Sequence, residues 1–290
     1  MPELPEVETV RMGLEPALEG HRFTSVETRR GGLRIPFPPR FAERLKGRKV
    51  RRLWRRAKYL LADLDSGETL VIHLGMTGRM SVYAEGRAHK FGQYVYKTAP
   101  PDAGHGKHDH VVMETDAPAR IVFADHRRFG LMTLVETAKL DQDKLFKGIG
   151  PEPLSGDFDA EYLSAALKGK NTPIKSAILD QRVIAGVGNI YACEALFRAG
   201  LSPRRIAAKV SPEQAAALAQ AIKSVLKEAV KAGGSSLRDY HKADGELGEF
   251  QHRFAVYDRA GKPCPRKCGG TVRRIVQAGR STFYCPACQK

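Results

Sequence analysis

Two close pairs of cysteines end the chain and constrain its fold more than any other feature. Cys264 and Cys268 are separated by three residues, and after sixteen more residues Cys285 and Cys288 are separated by two. Paired thiolates at this spacing are typical of a tetrahedral zinc site. A tail this short cannot bury a hydrophobic core alone, so the metal would supply its folding free energy. Because nothing marks the chain as secreted, we expect one structural Zn²⁺ per chain rather than disulfide bonds.

The first half of the chain shows strand periodicity after a short helical start. Residues 5–18 place apolar side chains at helical spacing, with Pro5 suited to the first turn and Gly20 to the end of the helix. From residue 21 to about residue 135 the apolar residues form short alternating runs, broken at turn residues such as Asp65-Ser66-Gly67. This pattern predicts antiparallel hairpins that form a β-sandwich or a flattened barrel.

Beyond residue 150 the pattern becomes helical. Its clearest helix begins at Ser211-Pro212-Glu213-Gln214, where Ser211 can cap the helix and Gln214 can complete a capping box. Residues 233–236, Gly-Gly-Ser-Ser, end that helix and predict a flexible segment as far as about residue 250. Residues 272–276 and 282–284 then predict the two strands of a hairpin that closes the cysteine site.

The charge of the chain points to a polyanionic partner. The formal net charge is +16 over 290 residues. Residues 40–58 hold ten Lys or Arg against one acid, and residues 259–290 hold eight and no acid. Ribosomes, membrane surfaces and DNA all attract such a field, and nucleic acid is the partner we expect. No stretch approaches the ~18–20 apolar residues that cross a bilayer, so we expect a soluble, cytoplasmic protein without a membrane partner.

The start of the chain offers a nucleophile beside an acid. If Met1 is removed, Pro2 becomes a terminal secondary amine next to the carboxyl group of Glu3. A terminal amine titrates near pH ~7.7–8.0 against ~10.4 for lysine, so roughly a tenth of it is unprotonated at neutral pH. Such an amine can attack a sugar carbon and form an iminium. The alternative is that Pro2 only stiffens the chain before the helix.

Six motifs occur in one order along the chain and carry a family resemblance. They are Pro2-Glu3-Leu4-Pro5-Glu6-Val7-Glu8-Thr9, Arg55-Arg56-Ala57-Lys58-Tyr59-Leu60, His73-Leu74-Gly75-Met76-Thr77-Gly78, Lys107-His108-Asp109-His110, Arg127-Arg128-Phe129-Gly130 and Gly186-Val187-Gly188-Asn189-Ile190-Tyr191. With the cysteine tail they resemble bacterial formamidopyrimidine-DNA glycosylases, also called DNA-(apurinic or apyrimidinic site) lyases, over essentially the whole length. The family's usual finger has two residues between its first cysteines, where this chain has three.

The resemblance implies an α+β multidomain fold. Residues 1–136 would form an N-terminal catalytic domain, an antiparallel β-sandwich with flanking helices. Residues 150–250 would form a helix–two-turn–helix DNA-binding domain that includes a loop over the damaged base, and residues 255–290 a zinc-finger β-hairpin. One chain suffices for one lesion, so we expect a monomer.

The resemblance also implies catalytic roles. Pro2 would attack the sugar C1′ atom of a damaged nucleotide, and Glu3 would protonate the sugar ring oxygen. Glu6 would hold Glu3 protonated by like charge, although a first-turn carboxylate that only favours the helix dipole explains it equally well. Lys58 would transfer protons in β-elimination, and Arg280 would serve δ-elimination and phosphate binding. Read without the resemblance, either cation would be a solvated phosphate contact.

A further set of residues matches the family's DNA contacts. Extruding a nucleotide leaves a gap that side chains must fill. Met76, Phe129 and Arg127 match the void-filling trio, although Met76 alone would be an ordinary core methionine. His108, Arg127, Lys170 and Asn189 match further DNA-binding positions. The glycines at residues 186 and 188 would present backbone N–H groups to a phosphate just ahead of a helix capped by Asn189.

The function implied is base-excision repair. The enzyme would excise oxidised purines, chiefly 8-oxoguanine and formamidopyrimidines, from damaged double-stranded DNA and then cleave the strand by β- and δ-elimination. The endonuclease VIII branch is the nearest alternative, but it typically begins Pro-Glu-Gly-Pro-Glu where this chain has Leu4. A non-enzymatic protein that binds damaged DNA is the other alternative, and retention of Met1 would favour it.

Overall fold

The chain divides into two compact units. The structure, a computed structural model, describes residues 2–84, 89–91, 94–100, 102–236 and 241–290, with the backbone alone for residues 89–91 and 94–95. Unit 1 comprises Met1–Lys147 and Gly233–Gly248, and unit 2 comprises Gly148–Ala232 and Glu249–Lys290. The three domain boundaries expected from the sequence stay a prediction.

Unit 1 is mainly antiparallel strand. Its helices are α1 (Leu4–Leu18) and α2 (Phe41–Leu45). Its strands are β1 (Phe23–Thr28), β2 (Val50–Arg56), β3 (Tyr59–Leu64), β4 (Glu68–His73), β5 (Arg79–Ala84), β6 (His89–Phe91), β7 (Tyr94–Tyr96), β8 (Asp109–Thr115), β9 (Ala119–Ala124) and β10 (Leu131–Glu136). A 3₁₀ helix follows at Thr137–Gln142.

The expected β-sandwich is confirmed. One four-stranded sheet has the order β1-β8-β9-β5, the other has the order β10-β4-β3-β2, and all pairs are antiparallel. Side chains of both sheets and of α1 share one core, for example Leu60, Phe123 and Leu14. Full burial of each such side chain is worth about 1.5–3 kcal/mol, so this core stabilises the sandwich without help from a metal.

The helix predicted at residues 5–18 is α1. Pro5 lies in its first turn, where its missing N–H costs nothing, and Gly20 follows its end with a φ of +83°. The buried face includes Val7, Val10 and Leu14, as the periodicity predicted. This face fixes the N-terminal residues of the chain against the sandwich core.

Part of the segment expected to be flexible packs onto unit 1. Ala243 is buried in the sandwich core, and its carbonyl accepts the N–H of Val82 at 2.8 Å. A Cβ on Gly13 would lie 2.7 Å from the Ala243 side chain, so α1 must be bare at that point. Residues 237–240 of the same segment lie outside the described residues.

Unit 2 is helical with a terminal hairpin. Its helices are α3 (Ala160–Leu167), α4 (Ile174–Leu179), α5 (Asn189–Arg198) and α6 (Pro212–Lys231), with 3₁₀ helices at Ala207–Lys209 and Phe250–Arg253. Ser211 Oγ accepts the N–H of Gln214 at 3.3 Å and Gln214 Oε1 accepts the N–H of Ser211 at 3.1 Å. The predicted capping box of α6 is thus confirmed. Among the described residues no helix is long and apolar enough to span a membrane.

The terminal hairpin agrees with the sequence within a few residues. It consists of β11 (Arg273–Gln277) and β12 (Arg280–Tyr284), paired in antiparallel register. Behind it, the buried carboxylate of Glu194 accepts the N–H groups of Ala255, Val256 and Tyr257 at 2.8–2.9 Å. These bonds tie the segment that leads into the hairpin to α5.

Candidate active site and nucleic-acid interface

The N-terminal residues are buried at the start of α1. Pro2, Glu3 and Glu6 are all buried, and Glu3 is the N-cap of the helix. Glu6 Oε2 accepts the N–H of Glu3 at 2.8 Å, and Glu6 Oε1 accepts the N–H of Ser235 at 2.8 Å. Glu6 therefore orders the residue next to Pro2 and the start of the Gly233–Gly248 segment with the same carboxylate. Met1 lies outside the described residues.

Lys58 lies in the two-residue turn between β2 and β3. Arg56 pairs with Tyr59, so Ala57 and Lys58 are the two turn residues, and Ala57 has a φ of +52°. Lys58 is only 8% exposed. The guanidinium of Arg55 binds Glu8 Oε2 at 3.1 Å and donates to the carbonyl of Ala57 at 2.8 Å. Arg55 thus ties α1 to the turn that carries Lys58.

His73 is a neutral imidazole on the strand beside this turn. It pairs with Tyr59 in the sheet, and their rings lie 4.8 Å apart. Burial, with smaller effects from the charges of Lys58 and Arg34, lowers the pKa of His73 to about 4. His73 Nδ1 accepts the N–H of Gly75 at 2.9 Å, which requires an unprotonated Nδ1 atom. The sequence reasoning gave His73 no role of its own.

Met76 and Phe129 are exposed on two loops that pack against each other. They are 42% and 44% exposed, and the guanidinium of Arg127 lies over the Phe129 ring at 4.5 Å. Gly75 has a φ of +66°, and a Cβ on it would collide with the backbone of Phe129 and Gly130. The three residues predicted to fill a void therefore project from one pair of loops that pack closely, and Met76 is not a core methionine.

A buried carboxylate that the sequence reasoning missed holds these two loops together. Asp125 is 1% exposed. Its Oδ1 accepts the hydroxyl of Thr77 at 2.5 Å and the N–H of Arg127 at 3.2 Å, and its Oδ2 accepts the N–H of Gly130 at 2.8 Å. A lone acid between a strand and a run of basic residues was the available sequence signal.

His108 and Lys170 are accessible, each in its own unit. His108 is exposed immediately before β8 in unit 1, and its ring lies 6.0 Å from that of His126. Lys170 is half-buried between α3 and α4 in unit 2. Lys170 also contributes a minor part to the lowered pKa of Asp180, whose main cause is the hydrogen bond from Arg182.

The glycine turn before α5 differs from the expectation in two respects. Gly188 is the N-cap of α5, and Asn189 is its first helical residue rather than its cap. The N–H of Gly186 is not presented outward, because it donates to Gln181 Oε1 at 2.8 Å. The side-chain amide of Gln181 also donates to the carbonyl of Val187 at 2.9 Å, so the Gln181 side chain forms hydrogen bonds to two backbone groups of the turn.

Asn189 is held by a buried lysine that the sequence reasoning did not single out. Lys175 is 1% exposed, and its Nζ atom donates to Asn189 Oδ1 at 2.6 Å and Thr282 Oγ1 at 2.6 Å. Asn189 Nδ2 in turn donates to the carbonyl of Ser281 at 2.9 Å. The start of α5 and β12 are thereby joined, and a lysine among the apolar residues of α4 was the only sequence signal.

Arg280 is exposed at the tip of the terminal hairpin. Ala278 and Gly279 form a two-residue turn with φ values of +46° and +73°, and Arg280 is the first residue of β12. Positive φ at both turn residues is the geometry of a type I′ turn. Lys58 lies within a two-residue turn of unit 1, and Arg280 directly follows a two-residue turn of unit 2.

The four cysteines form a cluster that fits zinc. All four Sγ atoms lie within 4.8 Å of one another, with 3.8 Å between Cys264 and Cys288 and 3.6 Å between Cys268 and Cys285. Tetrahedral ligands at ~2.3 Å from zinc are about 3.8 Å apart, so the cluster matches a four-thiolate site. A Cβ on Gly270 would lie 2.9 Å from Cys285 Sγ, which explains a glycine beside the site.

The environment of the thiols favours one of them as the first to ionise. Burial and hydrogen bonds within the cluster raise the pKa of Cys288 to about 12. Burial also opposes ionisation of Cys285, but the backbone N–H groups of Cys288 and Ala287 outweigh it and lower the pKa of Cys285 to about 7. Four protein ligands leave no position open for water, so the site supports the hairpin rather than a reaction.

Family models match nearly the whole chain. Residues 1–132 match the formamidopyrimidine-DNA glycosylase N-terminal domain, and residues 149–241 match the helix–two-turn–helix domain of the same family. Residues 261–290 match the zinc finger found in these glycosylases and in isoleucyl-tRNA synthetases. The three matches follow the order of the sequence motifs.

Curated relatives and solved structures agree with these matches. The chain is 58% identical to a formamidopyrimidine-DNA glycosylase of Ruegeria pomeroyi and 55% identical to one of Cereibacter sphaeroides, with 100% of each chain covered. It superposes on the MutM (Fpg) protein of Thermus thermophilus with a TM-score of 0.83 at 41% identity, over 99% of this chain and 98% of that one. A Lactococcus lactis Fpg bound to DNA with an abasic site gives 0.84 at 32% identity, over 99% of both chains.

Proposed function

The chain belongs to the formamidopyrimidine-DNA glycosylase family and is a DNA repair glycosylase with a structural zinc finger; we propose that it excises oxidised purines and then cleaves the strand as a lyase. The substrate is damaged double-stranded DNA, chiefly with 8-oxoguanine or a formamidopyrimidine. The enzyme acts as a monomer in the bacterial cytoplasm.

The observation that carries the excision step is the exposed pair Met76 and Phe129. Large apolar side chains on a water-facing surface cost free energy unless a partner covers them. Here both project from loops locked by Asp125 and Gly75, and Arg127 stacks on Phe129 with donors for a base edge. Such side chains suit the gap that an extruded nucleotide leaves in a duplex.

The chemistry assigned to the N-terminus follows from the order around Pro2. Once Met1 is removed, the Pro2 nitrogen attacks the C1′ atom, the bond from C1′ to the base breaks, and the proton of the attacking amine passes to the departing base. The bond from C1′ to the sugar ring oxygen then opens and leaves an iminium between Pro2 and C1′. Glu3 supplies the proton to the sugar ring oxygen. The bond from Glu3 N–H to Glu6 fixes the backbone beside the nucleophile, which supports this assignment.

Strand cleavage requires the removal of a proton from the sugar and the departure of a phosphate. Lys58 transfers the proton in β-elimination, and the bond from Arg55 to the Ala57 carbonyl holds its turn. Arg280 assists δ-elimination by binding phosphate oxygens, for which an exposed guanidinium is well suited. His108, Lys170 and Asn189 bind the DNA backbone.

Borohydride trapping tests this proposal. Reduction of the iminium should join the processed protein covalently to a duplex with an abasic site, and peptide mapping should place the adduct on Pro2. A form with an uncleaved N-terminal extension is the matched control, and it should lose trapping. Equal trapping by the blocked form would overturn the terminal-amine mechanism and leave Lys58 as the candidate nucleophile.

The choice of damaged base is tested separately. Excision is compared on 8-oxoguanine opposite cytosine and on a ring-oxidised thymine at one fixed salt concentration, because phosphate contacts make affinity salt-dependent. We expect faster release of 8-oxoguanine. Preference for the oxidised thymine would assign the chain to the endonuclease VIII branch, and binding without release of either base would make it a damage-binding protein.

A further inference from the structure

Three histidines and an arginine surround a pocket at one end of the β1-β8-β9-β5 sheet. The pocket has a volume of about 150 Å³ and is lined by Thr77, Arg79, His108, Ala124, Asp125, His126 and His241. Arg79 and Asp109 both pair with Ala124, so the start of β5, the start of β8 and the end of β9 meet at this edge. His241 comes from the Gly233–Gly248 segment of the same unit.

The pocket has a polar floor and a rim of side chains that carry N–H donors. Thr77 and Asp125 are buried, while Arg79, His108 and His126 are exposed and His241 is half-buried. The oxygens of Asp125 already accept three hydrogen bonds from its own loops, so the acid is occupied by the wall of the pocket. Below it, His110 Nε2 lies 2.7 Å from the carbonyl of Asp125, and burial lowers the pKa of His110.

The rim side chains lack hydrogen-bond partners in the part of the chain that the structure describes. No hydrogen bond or ion pair of the Arg79, His126 or His241 side chain occurs there, and His108 meets only the ring of His126. A guanidinium and three imidazoles around one pocket supply convergent N–H donors. Such donors bind an anion with several oxygens. Hydrogen bonds to a charged group are stronger than those between two neutral groups.

The position of the pocket indicates which anion it would bind. Thr77 follows Met76 in the chain and His126 precedes Arg127, so the pocket and the void-filling side chains share the same two loops. When Met76 and Arg127 enter a duplex, the backbone phosphates beside the gap are the anions nearest to this pocket. The volume holds a phosphate group with space left for a bridging water, which occupies ~30 Å³.

We propose that Arg79, His126 and His241, with His108, form a binding site for one backbone phosphate of the DNA strand beside the extruded nucleotide. The family resemblance gave His108 a DNA contact, whereas Arg79, His126 and His241 are new to this role. The inference rests on the proposed DNA substrate. It also gives the Gly233–Gly248 segment a direct contact with DNA through His241.

Neutral phosphate analogues test the site one phosphate at a time. The duplex carries a tetrahydrofuran abasic-site analogue, which cannot be cleaved, and methylphosphonate replaces each phosphate near it in turn. We expect one position at which the replacement weakens binding of the unmodified protein by about tenfold, the value of one charge-assisted contact. The double variant His126→Gln/His241→Gln should bind the unmodified duplex about tenfold more weakly, and methylphosphonate at that position should weaken it less than it weakens the unmodified protein, because Arg79 and His108 remain.

The matched control is His21→Gln. His21 precedes β1 at the opposite end of the same sheet, because Phe23 pairs with Thr115. This variant should respond to every methylphosphonate as the unmodified protein does. A salt series should also show a slope smaller by about 1 in Arg79→Gln and unchanged in His21→Gln.

Three outcomes would overturn the proposal. The first is binding by the double variant as tight as that of the unmodified protein. The second is a set of losses that multiply independently at every phosphate. The third is competition by inorganic phosphate without coupling to any methylphosphonate, which would assign the pocket to a free anion. Failure of the unmodified protein to prefer the abasic duplex over undamaged DNA would instead count against the proposed function.

Discussion

Two hairpins of this protein each carry a cation assigned to strand cleavage, and the two hairpins are stabilised in different ways. The β2–β3 hairpin presents Lys58 from a turn in which Ala57 has a φ of +52°, and the β11–β12 hairpin presents Arg280 after a turn in which Ala278 has a φ of +46°. Lys58 is 8% exposed, whereas Arg280 is exposed at a tip. Both turns begin with an alanine of positive φ, and the surroundings of the two cations differ.

The support behind each turn explains the difference. The β2–β3 hairpin belongs to a four-stranded sheet over a large core, and Arg55 fastens its turn to Glu8 of α1. The β11–β12 hairpin is a two-stranded sheet, and such sheets are marginal in water on their own. The cysteine cluster adds to the stability of the small core that the hairpin shares with Phe197 and Val256. Burial suits an amine that transfers protons, whereas exposure lets a guanidinium contact a phosphate of the DNA.

Zinc removal should give the largest difference between the two hairpins. Chelation or Cys285→Ala should unfold the β11–β12 hairpin, because zinc contributes on the order of 10–16 kcal/mol to such folds. The β2–β3 hairpin should stay folded, and Trp54, the single tryptophan and a residue of β2, reports on it by fluorescence. Metal analysis should find one zinc per chain, and binding of the abasic duplex should weaken.

An exposed residue of the hairpin that is not a zinc ligand provides the control for that experiment. Val276→Ala, at a residue that is 66% exposed, should leave zinc content and folding unchanged. Full activity of zinc-free protein, or loss of the Trp54 signal together with the metal, would show that the two hairpins do not differ in the way described.

Removal of the two cations should affect different steps by different amounts. Lys58→Ala deletes a proton-transfer group, for which the expected loss is about 10²–10⁴-fold in β-elimination. Arg280→Ala deletes one exposed phosphate contact, for which we expect about tenfold, mainly in δ-elimination and binding. Single-turnover assays that separate the β and δ products measure both. Equal losses for the two variants at every step would contradict the assignment of separate roles.

Acid should weaken the β2–β3 hairpin through His73. Because its folded pKa is about 4 and the ordinary value is 6.5, the unfolded chain takes up the proton first. Stability is therefore complete above pH 6.5 and falls as the pH drops toward 4, by about 3 kcal/mol in all. His73→Asn keeps an acceptor for the Gly75 N–H and should remove this loss.

Unfolding followed at Trp54 at pH 7 and at pH 5 measures the effect within unit 1. Between these values the unmodified protein should lose about 2 kcal/mol more than His73→Asn. The fluorescence of Trp54 reports the sandwich and not the cysteine cluster, whose thiols also respond to pH. An identical pH dependence for the two proteins would mean that His73 is protonated in the folded state.

The parts of the molecule differ in how far they could be predicted from the sequence. The zinc hairpin was predictable because metal ligands must be particular residues at particular spacings, and the sandwich was predictable because burial imposes a period of two. Asp125 and Lys175 were not predicted, since a buried charge is defined by partners that are distant in the chain. Lys58 and Arg280 were found through the resemblance alone, because the sequence does not show whether a lysine or arginine is exposed or buried.

The two alanine turns give the smallest and most direct comparison. A left-handed backbone costs a non-glycine residue about 1–2 kcal/mol. Glycine avoids this cost but loses about 0.5–1 kcal/mol more backbone entropy than alanine when the chain folds. Ala278 is exposed, so Ala278→Gly should stabilise its hairpin by up to about 1 kcal/mol. Ala57 is 2% exposed, and loss of its buried methyl group costs about 0.8 kcal/mol more, so Ala57→Gly should be close to neutral.

Zinc competition with a chelator measures the first variant, and unfolding at Trp54 measures the second. Because zinc binds only the folded hairpin, a gain of about 0.7 kcal/mol in Ala278→Gly appears as roughly threefold tighter zinc binding. Ala57→Gly should instead change activity, since a freer turn holds Lys58 less firmly while the sandwich stays equally stable. If Ala57→Gly stabilises the protein and leaves β-elimination intact, the strain at that turn has no part in positioning Lys58, and burial alone separates the two hairpins.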